Sequence, residues 1–107
     1  MLKSGPAKKV TIYIGEHVRQ HGEPVYLALL NFLFRHDVAG ATVTKGVAGF
    51  GAEHHLHTAR ILEMSENLPI KIEFVEHAEK LDSLMSQILE MTTQGLIEVQ
   101  DTTVIRG

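Results

Sequence analysis

Residues 69–100 read PIKIEFVEHAEKLDSLMSQILEMTTQGLIEVQ, a strand, a helix and a strand in one run. Behind Pro69, Ile70, Ile72 and Phe74 alternate with Lys71 and Glu73, the period of a half-buried strand. From Ala78 to Thr93 the period changes. Leu81, Leu84, Met85, Ile88 and Leu89 fall at i, i+3, i+4, i+7 and i+8, one stripe for a helix facing a core. Gly95 predicts the helix stop. Leu96 to Gln100 then returns to alternation, with Ile97 and Val99 inward against Glu98 and Gln100.

The N-terminal half has the same order of elements without repeating the sequence. Residues 1–7 are expected to form a flexible tail. Lys8 to Ile14 places Val10, Ile12 and Ile14 on one face of a strand that Gly15 ends, and a polar loop runs from Glu16 to Glu23. Pro24 suits the first position of a helix, where its missing N–H leaves nothing unmade. The run VYLALLNFLFRH from Val25 continues that helix to the turn at Asp37–Gly40. Val25, Leu29, Phe32 and Leu33 suit a core, while Leu27, Leu30 and Phe34 spread round the cylinder. A short helix apolar on several sides is buried twice, often by a second subunit. Ala41 to Val47 predicts the next strand, followed by a glycine-rich segment and a polar stretch to Leu68.

Two β-α-β units on one antiparallel sheet make an α+β, ferredoxin-like βαββαβ sandwich with both helices on one face. The opposite face then carries Thr11, Tyr13, Thr42, Thr44, Lys71, Glu73 and Glu98, polar enough for water or a partner sheet. The 107 residues form one domain, with 44% hydrophobic and 21% charged residues, ordinary for a globular chain. Cysteine is absent, which excludes disulfides, thiolate zinc sites and cysteine nucleophiles. A net charge of −3 without a basic patch argues against nucleic acid as a partner. The apolar run Pro24 to Phe34 is shorter than the ~20 residues that cross a bilayer. With no signal segment in view, a cytoplasmic protein is expected.

Gly46, Gly49 and Gly51 form a G-x-x-G-x-G pattern after a strand. Glycines allow positive φ and close backbone approach, so successive N–H groups can cup an anion, although a hinge or bulge uses glycines equally well. No Gly-Lys-Ser/Thr follows, so the segment is not a P-loop. His54, His55 and His57 form H-H-x-H, an alternative metal site, although closely spaced histidines in a polar loop are more often solvated. His17 and His21 fall in a loop, where their spacing carries little meaning. Ser65 and Ser83 lack the setting of a nucleophile, so no catalytic residue is assigned and no enzyme is expected. Glu76 and Glu79 suit the dipole at the start of a helix. Arg19, Arg35 and Lys80 read as solvated charges.

The stretch KGVAGFGAEHHLHT (45–58), followed by LPIKIEFVE (68–76), TQG (93–95) and VIRG (104–107), resembles PII (GlnB-like) signalling proteins. The likeness is closer to an uncharacterised PII-like family of about this length. Its members read T-I-Y-I-G-E, H-G-x-P-x-Y, A-G-A-T-V, G-x-A-G-F-G and H-T-A-R-I-L, here Thr11–Glu16, His21–Tyr26, Ala39–Val43, Gly46–Gly51 and His57–Leu62. The resemblance implies a homotrimer binding an adenine nucleotide in clefts between subunits. It also makes 46–62 a regulatory loop, presented to a partner such as a membrane-transport protein or an enzyme. The nucleotide-binding residues it implies are Lys45, Gly46, Gly49, Phe50, Gly51, Arg60 and Arg106. In PII proteins a glycine- and lysine-containing loop after the second helix holds phosphates. Here Thr93-Gln94-Gly95 runs straight into a strand, so a monophosphate such as AMP fits better than a triphosphate. The rival readings are a metal-binding trimer using the loop histidines and a small enzyme acting on a phosphorylated metabolite.

Overall fold

The computed structural model describes residues 2–49 and 68–107, together with the backbone of 57–58. Four long strands and two helices follow in the order β1 (Gly5–Gly15), α1 (Val25–Arg35), β2 (Ala41–Lys45), β3 (Pro69–Glu76), α2 (Ala78–Met91) and β4 (Leu96–Val104). The sheet order is β2-β3-β1-β4, with every neighbouring pair antiparallel. This is the ferredoxin-like α+β sandwich expected from the alternation of strand and helix periods.

The core lies between the sheet and the helix pair. Val10, Ile12 and Ile14 of β1 meet Ile70, Ile72 and Phe74 of β3, and Val25, Leu29, Leu33, Leu81, Leu84 and Ile88 cover them. Each fully buried side chain of this kind stabilises by about 1.5–3 kcal/mol. Leu89 is more than half exposed, so the predicted α2 stripe is narrower than five residues. On α1, Leu27 and Phe34 stay exposed, Phe34 at 81%.

Several boundaries differ from the sequence reading. β1 begins at Gly5, and residues 5–7 pair with 102–104 of β4, so the expected tail at 1–7 is a strand over its last three residues. These residues have a partner strand on one side only, the kind of position a sheet allows proline. The chain before them is tied as well. The His77 ring accepts the Lys3 N–H and contacts the Pro6 carbonyl, and the Arg106 guanidinium donates to the Leu2 carbonyl. β2 stops at Lys45 rather than Val47, and β4 continues past Gln100 to Val104. Pro24 precedes α1 with ψ 129° and so caps the helix instead of entering it. Within the polar loop 16–23, Arg19–Gln20 and Glu23–Pro24 pair around His21 (φ 53°) and Gly22 (φ 79°), a two-residue turn whose twist suits a hairpin.

The stop of α2 belongs to Thr92, whose hydroxyl donates back to the Ile88 carbonyl at 2.7 Å. Gly95 serves a different need, because a Cβ there would lie 2.8 Å from the Tyr13 carbonyl of β1.

Glu76 is 2% exposed and does more than favour a helix dipole. Its carboxylate accepts the N–H groups of Ala39 and His77, at 3.2 and 3.1 Å, and pairs with Lys80 at 3.5 Å. Lys80 in turn donates to the Asp37 carbonyl, so it is not a free surface charge. The α1–β2 turn and the start of α2 are thus joined through one buried carboxylate. Glu76→Ala strands two N–H groups and a half-buried ammonium, and should lower stability by about 3 kcal/mol. Urea unfolding checks this; a loss under about 0.5 kcal/mol, the scale of an ordinary surface change, contradicts it.

Candidate functional site

β1 ends where β2 ends and β3 begins. Gly15 faces Pro69 across the β1–β3 ladder, and Lys45 faces Ile70 across the β2–β3 ladder. Two backbone bonds close this end of the sheet: the Glu16 N–H donates to the Leu68 carbonyl at 3.0 Å, and the Gly46 N–H to the Pro69 carbonyl at 2.8 Å. The α2–β4 turn reaches the same end, with Gly95 against Tyr13 and Ile14.

The glycines here are set by close approach. A Cβ on Gly46 would stand 2.9 Å from Pro69 Cγ. Gly49 has φ +155° and lies near the same proline ring, and a Cβ there would sit 3.3 Å from it. Ala48–Gly49 pairs with His57–Thr58, which brings the segment back on itself two residues deep. Gly15 is also crowded, since a Cβ there would be 2.5 Å from the His17 ring.

Lys45 closes the arrangement. Its Nζ lies 3.0 Å from Oε2 of Glu16, an ion pair that arches from β2 to the end of β1 over the start of β3. Lys45 is 47% exposed, but Glu16 is 18% exposed, and its Oε1 is buried without a hydrogen-bond partner among the described residues. Glu16 was not among the residues the sequence singled out for ligand binding. Its place in the T-I-Y-I-G-E motif, next to a strand-ending glycine, was the available signal.

Arg106 stands elsewhere. Its N–H donates to Ser4 Oγ at 3.0 Å and its Nη1 to the Leu2 carbonyl at 2.8 Å, beyond the pairing of Gly5 with Val104. Ile14, whose neighbour Ile70 faces Lys45, lies nine residue steps along β1 from Gly5. At ~3.3 Å per residue that is about 30 Å, so one chain does not bring Arg106 to the glycines. Phe50, Gly51, His54, His55 and Arg60 lie outside the described residues, as does the His57 side chain. Among the described residues no group of three or more His, Asp or Glu side chains could hold a metal ion.

The open face of the sheet carries a second set of charges. A hydrogen bond to Glu98, with partial desolvation, holds the Tyr13 phenol above its ordinary value. Lys71 and Glu73 pair at 2.9 Å, which raises the ammonium and lowers the carboxyl. A groove of about 370 Å³ beside Lys9, Thr42, Glu73 and Leu2 opens on this face, away from the glycine segment.

The family model DUF190, described as uncharacterized ACR, matches residues 7–104. A UPF0166 protein of Methanocaldococcus jannaschii is 33% identical over 102 residues, covering 94% of each chain. Among solved structures, CPII from Thiomonas intermedia K12, a nitrogen regulatory PII-like protein bound to ADP, AMP and bicarbonate, superposes with a TM-score of 0.70. It is 22% identical, with 99% of this chain and 94% of that one covered. CutA1 of Oryza sativa superposes with a TM-score of 0.59 at 12% identity, covering 97% of this chain and 84% of that one.

Gly46→Val should lower stability by about 1–3 kcal/mol, because the new side chain meets Pro69. Val47→Ala, at a position 79% exposed, should change it by less than about 0.5 kcal/mol. Equal unfolding midpoints for the two variants would show that Gly46 is not held by close approach.

Proposed function

The chain belongs to the DUF190 family, and from that footing we propose that it is a PII-like ligand sensor which binds an adenine nucleotide between the subunits of a homotrimer. The observation that carries this reading is Lys45 beside a glycine segment packed on Pro69, at one end of a sheet whose fold is shared with a protein solved with ADP and AMP. Backbone N–H groups of Gly49–Gly51 cup the anion, the Gly46 N–H being already held by the Pro69 carbonyl, and Lys45 and Arg60 supply positive charge.

Arg106 completes the site from a neighbouring copy. It lies about 30 Å along the sheet from Gly46 in its own chain, so a nucleotide touching both touches two subunits. The same requirement supports the homotrimer, as do Leu27 and Phe34, which α1 leaves uncovered. Binding acts on the Ala52–Leu62 segment and so presents or withdraws a surface for a partner protein, a membrane-transport protein or an enzyme. The chain senses rather than catalyses in this reading, in the cytoplasm.

The ligand is of the AMP type. Thr92 to Gly95 forms a tight turn, closed by the Gly95 N–H on the Thr92 carbonyl, and contains no cation for a second or third phosphate. AMP or a cyclic relative should therefore bind at least as tightly as ATP. Gly49→Val should abolish binding, since its φ of +155° and its approach to Pro69 both disfavour a β-branched side chain. Calorimetry decides: ATP binding ten-fold tighter than AMP, or normal binding by Gly49→Val, contradicts the assignment.

A further inference from the structure

We infer that Glu16 is a resident counter-ion which an incoming phosphate must displace from Lys45, and that it thereby sets which anions this site accepts. The inference deepens the reading above and rests on it only for the approach of a phosphate group to Lys45.

Three observations carry it. The Glu16 carboxylate already occupies the Lys45 ammonium at 3.0 Å, so the pair is neutral and offers an approaching anion no net attraction. Glu16 is also the fixed partner. It is 18% exposed and its own N–H is held by the Leu68 carbonyl, whereas Lys45 is a half-exposed ammonium on a flexible four-carbon stem. Finally, Glu16 Oε1 is buried without a hydrogen-bond partner among the described residues, so Oε2 is the oxygen through which the carboxylate is compensated.

A phosphate that draws Lys45 away leaves this carboxylate less well compensated, a few ångströms from the bound anion. The penalty grows with ligand charge, so it falls harder on ATP than on AMP. The same exchange has a mechanical consequence. Lys45 is the last residue of β2, and Gly46 follows it directly. Movement of the lysine between carboxylate and phosphate therefore acts on the base of the glycine segment.

The test uses the full-length protein in four forms: unchanged, Glu16→Gln, Lys45→Met, and the two combined. Calorimetry measures AMP, ATP and inorganic pyrophosphate against each. Gln keeps the size and hydrogen-bonding capacity of the side chain, and Glu16→Ser provides a second uncharged variant should the first fail to fold. Glu16→Gln should tighten pyrophosphate and ATP by about three- to ten-fold, and AMP by less, the scale of a partly exposed ion pair. In the Lys45→Met background the same change should tighten them by clearly less, because only the direct repulsion between carboxylate and anion is removed and no lysine is released. Unchanged or weaker affinity in Glu16→Gln overturns the inference, as does equal tightening when Lys45 is absent. The two readings separate cleanly. If pyrophosphate follows the pattern while AMP binds no form, the counter-ion role stands and the nucleotide reading falls. If AMP and ATP bind the unchanged protein and Glu16→Gln equally well, the nucleotide reading stands and the counter-ion role falls. No binding of any anion to any form overturns both.

Discussion

β1 pairs on both sides. Ile12 faces Ile72 on β3 and Ile97 on β4, and with Val10 and Ile14 it turns into the core. A slip of one residue would carry Thr11 and Tyr13 inward and all three aliphatic side chains outward, so the register is strongly specified. Everything at the ends of the sheet inherits its place from that register. Gly15 comes to face Pro69, Lys45 reaches Glu16 across the start of β3, and Gly46 can donate to the Pro69 carbonyl. At the far end the same pairing places Val104 by Gly5, which puts Arg106 beside Leu2 and Ser4.

The architecture was legible because its signals are periodic. Ile70, Ile72 and Phe74 alternate, Leu81, Leu84 and Ile88 follow a helix, and each set is buried as its period requires. What was not legible depends on partners distant in sequence. The start of β1 at Gly5 has no apolar alternation and exists because residues 102–104 of β4 pair with it. Glu76 looked like one of two carboxylates at a helix start, but it is buried against Ala39, thirty-seven residues away. Gly95 looked like a helix stop, and its reason is the Tyr13 carbonyl on another strand.

The candidate site shows the same division. Gly46, Gly49 and Lys45 stand in one motif and the fold keeps them together. Arg106 stands in another motif and the fold sends it to the opposite end, which no local pattern could indicate. Glu16 carries no ligand signature of its own and matters through its contact with Lys45. A carboxylate next to the lysine changes the electrostatic character of the site from an attractive cation to a neutral pair. In the exchange we propose, affinity for phosphate depends on what the exchange leaves behind as much as on what it forms.

The central claim is that the ligand site belongs to the assembly and not to the single chain, because its two described cations lie at opposite ends of one sheet. Native mass spectrometry of the intact protein with added AMP tests this most directly, since it counts subunits and ligands in the same ion. The account predicts a trimer of 11.9 kDa chains that takes up as many as three nucleotides, with dissociated monomers carrying none. A monomer that retains AMP one-to-one, or a trimer that takes up no nucleotide, would contradict it.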